Sequence, residues 1–91
     1  MKTIWKYKLE VAGKQEIEIP HGSEVLSLAV QNNDPYIWVL VPDTGVTVKE
    51  TLVVVTYATG QKIPQPVYRD HFLGTYQLSG KQVFHVFYNI V

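Results

Sequence analysis

Residues 70–91, DHFLGTYQLSGKQVFHVFYNIV, decide the fold. The second half of this stretch, VFHVFY at 83–88, is the densest apolar and aromatic run in the chain. Two strand-like runs flank Leu78-Ser79-Gly80, and a glycine inside so short a connection signals a β-hairpin. A three-residue loop with Gly80 in the left-handed region puts His71, Leu73, Thr75, Gln77, Val83, His85 and Phe87 on one face. His85 then faces Leu73, with His71 diagonal to it at about 7–8 Å. A loop of Ser79-Gly80 alone would send the two histidines to opposite faces, because a shift of one residue reverses a strand. The three-residue register is the one expected, by analogy with Val11-Ala12-Gly13.

The rest of the chain reads as strands built against this hairpin. From Thr3 to Val11 the residues alternate, with Trp5, Tyr7 and Leu9 on one side and Lys6, Lys8 and Glu10 on the other, the period of a half-buried strand. Residues 15–19 alternate again. A three-residue loop at 11–13 would pair the two runs and set Lys8 against Glu16 and Lys6 against Glu18. Pro20-His21-Gly22-Ser23 is a turn. EVLSLAVQ at 24–31 and YIWVLV at 36–41 are two further strands, separated by the turn residues Asn32-Asn33-Asp34-Pro35. YIWVLV is apolar on both faces, which predicts a central strand covered on both sides. Pro42-Asp43-Thr44-Gly45 is another turn. Residues 46–57 are too rich in β-branched side chains for a good helix, and read as one strand or two, broken near Lys49-Glu50. Residues 58–69 form the longest irregular stretch, since Pro64 and Pro66 deny it regular pairing. The prediction is one all-β domain over residues 1–91, with about seven mostly antiparallel strands in a small sandwich or barrel-like fold.

Composition excludes several functions. Eight basic residues balance eight acidic ones. A duplex nucleic-acid binder normally carries a basic excess, and so does a protein adsorbed to a membrane surface. With no cysteine, there is no disulfide, thiol nucleophile or thiolate zinc site. No apolar run approaches the ~20 residues of a membrane span, and the first ten residues lack a signal peptide's apolar segment. A cytoplasmic protein is the default. No catalytic arrangement of Ser, His and Asp, of paired carboxylates or of a nucleophile elbow stands out, so no enzyme is expected. Two histidines on one face would still need a third ligand to hold a metal, and no cofactor is implied. A domain of 91 residues buries only about 60–65% of its unfolded surface, so association into a homo-oligomer would add stability.

What remains is binding. Most aromatic rings of a small β protein fill its core. Tyr57, Tyr68 and Tyr76 flank the long irregular stretch or the hairpin and are the better candidates to stack on a ligand base. Thr59, Gly60 and Lys62 follow a strand end and offer amides, a hydroxyl and a cation to an anion, with Arg69 as a second cation. His71 and His85 complete the candidate ligand-binding set. The spacing is not that of a P-loop.

Five stretches together resemble a family of small, uncharacterised proteins encoded by phages and prophages: IWKYKLE, QEIEIPHGSEVLSLAVQ, YIWVLV, TYATGQKIP and YQLSGKQVFHVFY. The resemblance covers most of the chain and implies a β-rich fold and a viral or mobile-element origin, with no catalytic residues to carry over. Where that family tends to have a Thr-Gly-His loop, this chain has Thr59-Gly60-Gln61. The expectation is a counter-defence binding protein of the host cell cytoplasm that sequesters a nucleotide-type immune signal. The alternatives are an inhibitor docking on a host bacterial protein through an edge strand or aromatic patch, and a virion or assembly component.

Overall fold

A computed structural model describes residues 1–11, 13–42, 45, 48–63, 71–80 and 82–91. Seven strands run in order: β1 (Thr3–Lys8), β2 (Gly13–Pro20), β3 (Glu24–Gln31), β4 (Asp34–Val41), β5 (Lys49–Ala58), β6 (His71–Gln77) and β7 (Val83–Ile90). The described residues contain no helix. The strands form two antiparallel sheets, β1-β4-β3 and β2-β5-β7-β6, packed face to face as an open sandwich and not as a closed barrel.

Each sheet sends one alternate set of side chains inward. Ile37, Val39 and Val41 of β4 meet Ile17 and Ile19 of β2, Leu52 and Val54 of β5, and Phe84 and Val86 of β7 in a single core. Each such aliphatic side chain contributes about 1.5–3 kcal/mol on burial. β6 of one sheet packs on β3 of the other where Gly74 faces Leu28. A Cβ built on Gly74 would lie 3.4 Å from a Leu28 methyl.

The expected pairing of the first two strands is wrong. β1 pairs with β4 and β2 with β5, so the two lie in different sheets. The chain crosses between layers at Leu9, which is buried and donates its amide to the Pro35 carbonyl at 2.9 Å. The Gln15 side chain pins the crossing. It accepts from the Glu10 amide at 2.8 Å and donates to the Lys8 carbonyl at 3.1 Å. Lys8 therefore meets Asp34 and not Glu16, while Glu16 meets its own strand neighbour Lys14. Pairing each short strand with a strongly apolar one buries more apolar surface than pairing them together, and area removed from water outweighs exposed ion pairs.

The turn at 20–23 forms as read. The Ser23 hydroxyl and amide both reach the Pro20 carbonyl, and Gly22 has φ +86°. The β3–β4 turn is tighter than expected. Gln31 faces Asp34 across Asn32-Asn33, with φ 51° and 62°, the two left-handed residues of a primed two-residue turn. β4 consequently starts at Asp34. It is central, but it is not covered on both sides. Tyr36, Trp38 and Leu40 on its outer side are only half-buried.

The closing hairpin also departs from its expected register. Gly80 is left-handed, with φ +60°, but Gln77 faces Val83, so the connection spans five residues. His85 faces Thr75, not Leu73. A β-bulge at Leu73 then reverses the remainder of β6. Phe72 falls beside Phe87, and His71 falls beside Tyr88 on the core side. The two histidines thus lie on opposite faces. The Ser79 amide donates to the Asn33 side chain at 3.0 Å and ties this turn to the β3–β4 turn.

Candidate functional site

The outer face of the four-stranded sheet carries two rows of side chains across β5, β7 and β6. Tyr57, His85 and Thr75 make one row, and Val55, Phe87 and Phe72 make the next. Alternation puts these residues outward because their neighbours Val54, Thr56, Val86 and Tyr76 are in the core. The Phe87 ring stands edge-on to Tyr57 at 6.3 Å between centroids and lies 5.3 Å from Phe72. Phe72 is 58% exposed, high for a phenylalanine in a strand.

His85 is held on both ring nitrogens. Nε2 lies 2.7 Å from Thr59 Oγ1, and Nδ1 lies 3.1 Å from Thr75 Oγ1. Thr59 Oγ1 also lies 3.3 Å from the Val83 carbonyl. One arrangement satisfies every group: the Thr59 hydroxyl donates to Val83 and accepts from Nε2–H, while the Thr75 hydroxyl donates to Nδ1. Turning the imidazole would break both contacts, so its edge is preset among the three aromatic rings.

The turn beyond β5 is less open to an anion than its composition suggests. Gly60 has φ +90°. The Thr59 amide donates to the Val83 carbonyl at 2.9 Å and the Gln61 amide to the Ala58 carbonyl at 3.0 Å. Gln61 accepts from the Ala58 amide through its side chain. These two amides are engaged within the chain, which leaves the exposed Lys62 as the main anion-attracting group of the turn.

Of the residues expected to bind ligand, Tyr57, Thr59 and His85 come together, with Gly60 and Lys62 in the adjoining turn. His71 leaves this face because of the bulge. Tyr76 leaves it because it is a core residue, 5% exposed and stacked on Phe84 at 5.3 Å. Its hydroxyl is buried without a hydrogen-bond partner among the described residues, and burial pushes its phenol above the ordinary value. Tyr68 and Arg69 lie outside the described residues. The third histidine, His21, is engaged elsewhere, with Nδ1 2.7 Å from Glu50 Oε1. Among the described residues no three His, Asp or Glu side chains gather as a metal site. Phe87 lies on the face of His85, as the alternation of the closing strand leads one to expect, whereas Phe72 joins that face against expectation, carried there by the bulge at Leu73.

No helix among the described residues is long and apolar enough to cross a membrane. Comparison with curated proteins and with solved structures gave no match. Residues 1–91 match a family described as Domain of unknown function (DUF7352), and the chain belongs to that family.

Proposed function

We propose that this protein binds a planar, nucleotide-type ligand on the outer face of its four-stranded sheet and acts by holding it. The observation that supports this reading is the pair of rows just described. Phe72, Phe87 and Tyr57 offer ring faces and edges beside an imidazole whose orientation is preset. Aromatic side chains on an open sheet stack on bases with little regard to sequence, each stack being worth about 1–3 kcal/mol. Lys62 supplies a cation for phosphate at the end of β5, with Arg69 further along the chain. No chemistry on the ligand is part of this reading. In its biological form the protein is phage-encoded and removes a host immune signal in the cytoplasm by stoichiometric sequestration.

Calorimetry against a panel of cyclic and linear nucleotides tests it. Binding near one ligand per site, lost in Phe72→Ala, is expected. Absence of heat with every member overturns it. A second reading rests on the same exposed Phe72 and the sheet edges at β2 and β6: docking on a host bacterial protein. It predicts a specific protein retained from bacterial lysate by the wild type and not by Phe72→Ala.

A further inference from the structure

The outer face of the three-stranded sheet is the other unexplained surface. Its rows follow from the register. Ile4, Leu40 and Glu24 make the first, Lys6, Trp38 and Ser27 the second, and Lys8, Tyr36 and Ala29 the third. A groove of about 390 Å³ opens here against Trp38, Ile4 and Leu26. Ile4 is 55% exposed and Leu26 41%. The Lys6 ammonium lies 4.5 Å from the Tyr36 ring centroid and 3.1 Å from Gln31 Oε1, and so ends beside the third row. Neither Lys6 nor Glu24 has an ion-pair partner among the described residues.

We infer that this face is where two copies of the chain associate, about a twofold axis that crosses β4 at Trp38. The operation reverses the order of the rows. Trp38 meets the partner's Trp38, and Leu40 meets the partner's Tyr36. The first row lands on the third, so the partner's Glu24 arrives over Ala29, whose neighbours Tyr36 and Gln31 hold the Lys6 ammonium. Each unpaired cation gains an unpaired carboxylate, twice by symmetry, as a self-complementary interface requires. The strands of the two copies run nearly aligned, as in ordinary sheet-on-sheet packing. A net charge of zero leaves no general repulsion against it. A strand apolar on both sides is then covered on both sides, its second cover coming from the partner. This inference does not depend on the nucleotide reading, which concerns the other sheet.

Sedimentation velocity of the full chain over a range of concentrations tests it, with tryptophan emission as a second readout. The wild type should form a dimer, its emission shifting to the blue as Trp38 is covered. Lys6→Glu and Glu24→Lys should each weaken dimerisation about tenfold, because two exposed pairs become repulsive at once. The double variant should return to near the wild-type value. Both positions are exposed, and a far-UV spectrum checks that each variant stays folded. A wild type that is monomeric throughout, a dimer indifferent to both single changes, or a double variant as weak as the singles overturns the proposal.

Discussion

Replacing Tyr76 with phenylalanine should stabilise this protein. The Tyr76 ring is packed in the core against Phe84, at 5.3 Å and an angle of 26°, and phenylalanine keeps that contact. Only the hydroxyl is lost, and it has no hydrogen-bond partner among the described residues. A buried hydroxyl without a partner costs roughly 1–3 kcal/mol. Part of that returns as a small void where the oxygen was, at about 24 cal/mol per Å³. The net gain should be about 1 kcal/mol. In a domain of this size that raises Tm by about 4–8 °C. Urea unfolding followed by circular dichroism measures it, with an unchanged m-value showing that the change lies in stability and not in the unfolded state. A loss of about 1 kcal/mol or more would refute the reasoning, because the hydroxyl must then make a bond.

Burial raises the phenols of Tyr7 and Tyr76 above the ordinary value of 10.0, so the folded state keeps their protons longer than the unfolded chain does. Stability should fall as pH rises above about 10, and Tyr76→Phe should flatten that fall; absorbance at alkaline pH should show that Tyr76→Phe removes a late-ionising phenol. Asn33→Ala should cost about 1–2 kcal/mol in chemical denaturation, since it strains a residue at φ 62° and frees the Ser79 amide, whereas Asn33→Gly should cost less. Gly74→Ala should be nearly neutral by thermal melting, but Gly74→Leu should lower stability by about 1–3 kcal/mol, because only the larger side chain forces Leu28 aside. Thr59→Val with Thr75→Val should free the His85 ring, seen as averaging of its side-chain proton shifts, at a stability cost of about 1 kcal/mol.

Much of this fold is legible in the chain, and the failures share a cause. Alternation gives the interior side of β2, where Ile17 and Ile19 are buried and Glu16 and Glu18 exposed, because a two-residue period is set by the pleat itself. Asn32-Asn33 and Pro20-Ser23 read correctly as turns because their residues tolerate the required dihedrals. Alternation does not say which partner a strand takes. Residues 3–8 and 13–20 fit a hairpin as well as they fit two different sheets, and only the competition for the apolar strands β4 and β5 separates the two. Nor does it announce a bulge. Leu73 is an ordinary strand residue, yet the extra position there moves His71 away from His85 and brings Phe72 to the site. Tyr76 was readable: it falls between Thr75 and Gln77, and therefore on the side of Phe84 and Val86.

The strand order has a further consequence, for how the chain assembles. β7 follows the other six strands in the chain, and it lies between β5 and β6. Until it arrives, β5 has one open edge and β6 has no partner in its sheet. β5 is also rich in valine, and an open edge of that kind pairs readily with other chains. The three-stranded sheet, by contrast, can close as soon as β4 emerges. Synthesis should therefore leave a half-built intermediate, with one layer complete and the other awaiting its middle strand. The reciprocal bonds between Thr51 and Val91, at 3.0 and 2.9 Å, mark the far end of the zip that β7 closes along β5. Ribosome-bound chains halted before residue 83 should be far more prone to aggregate than chains in which β7 has emerged.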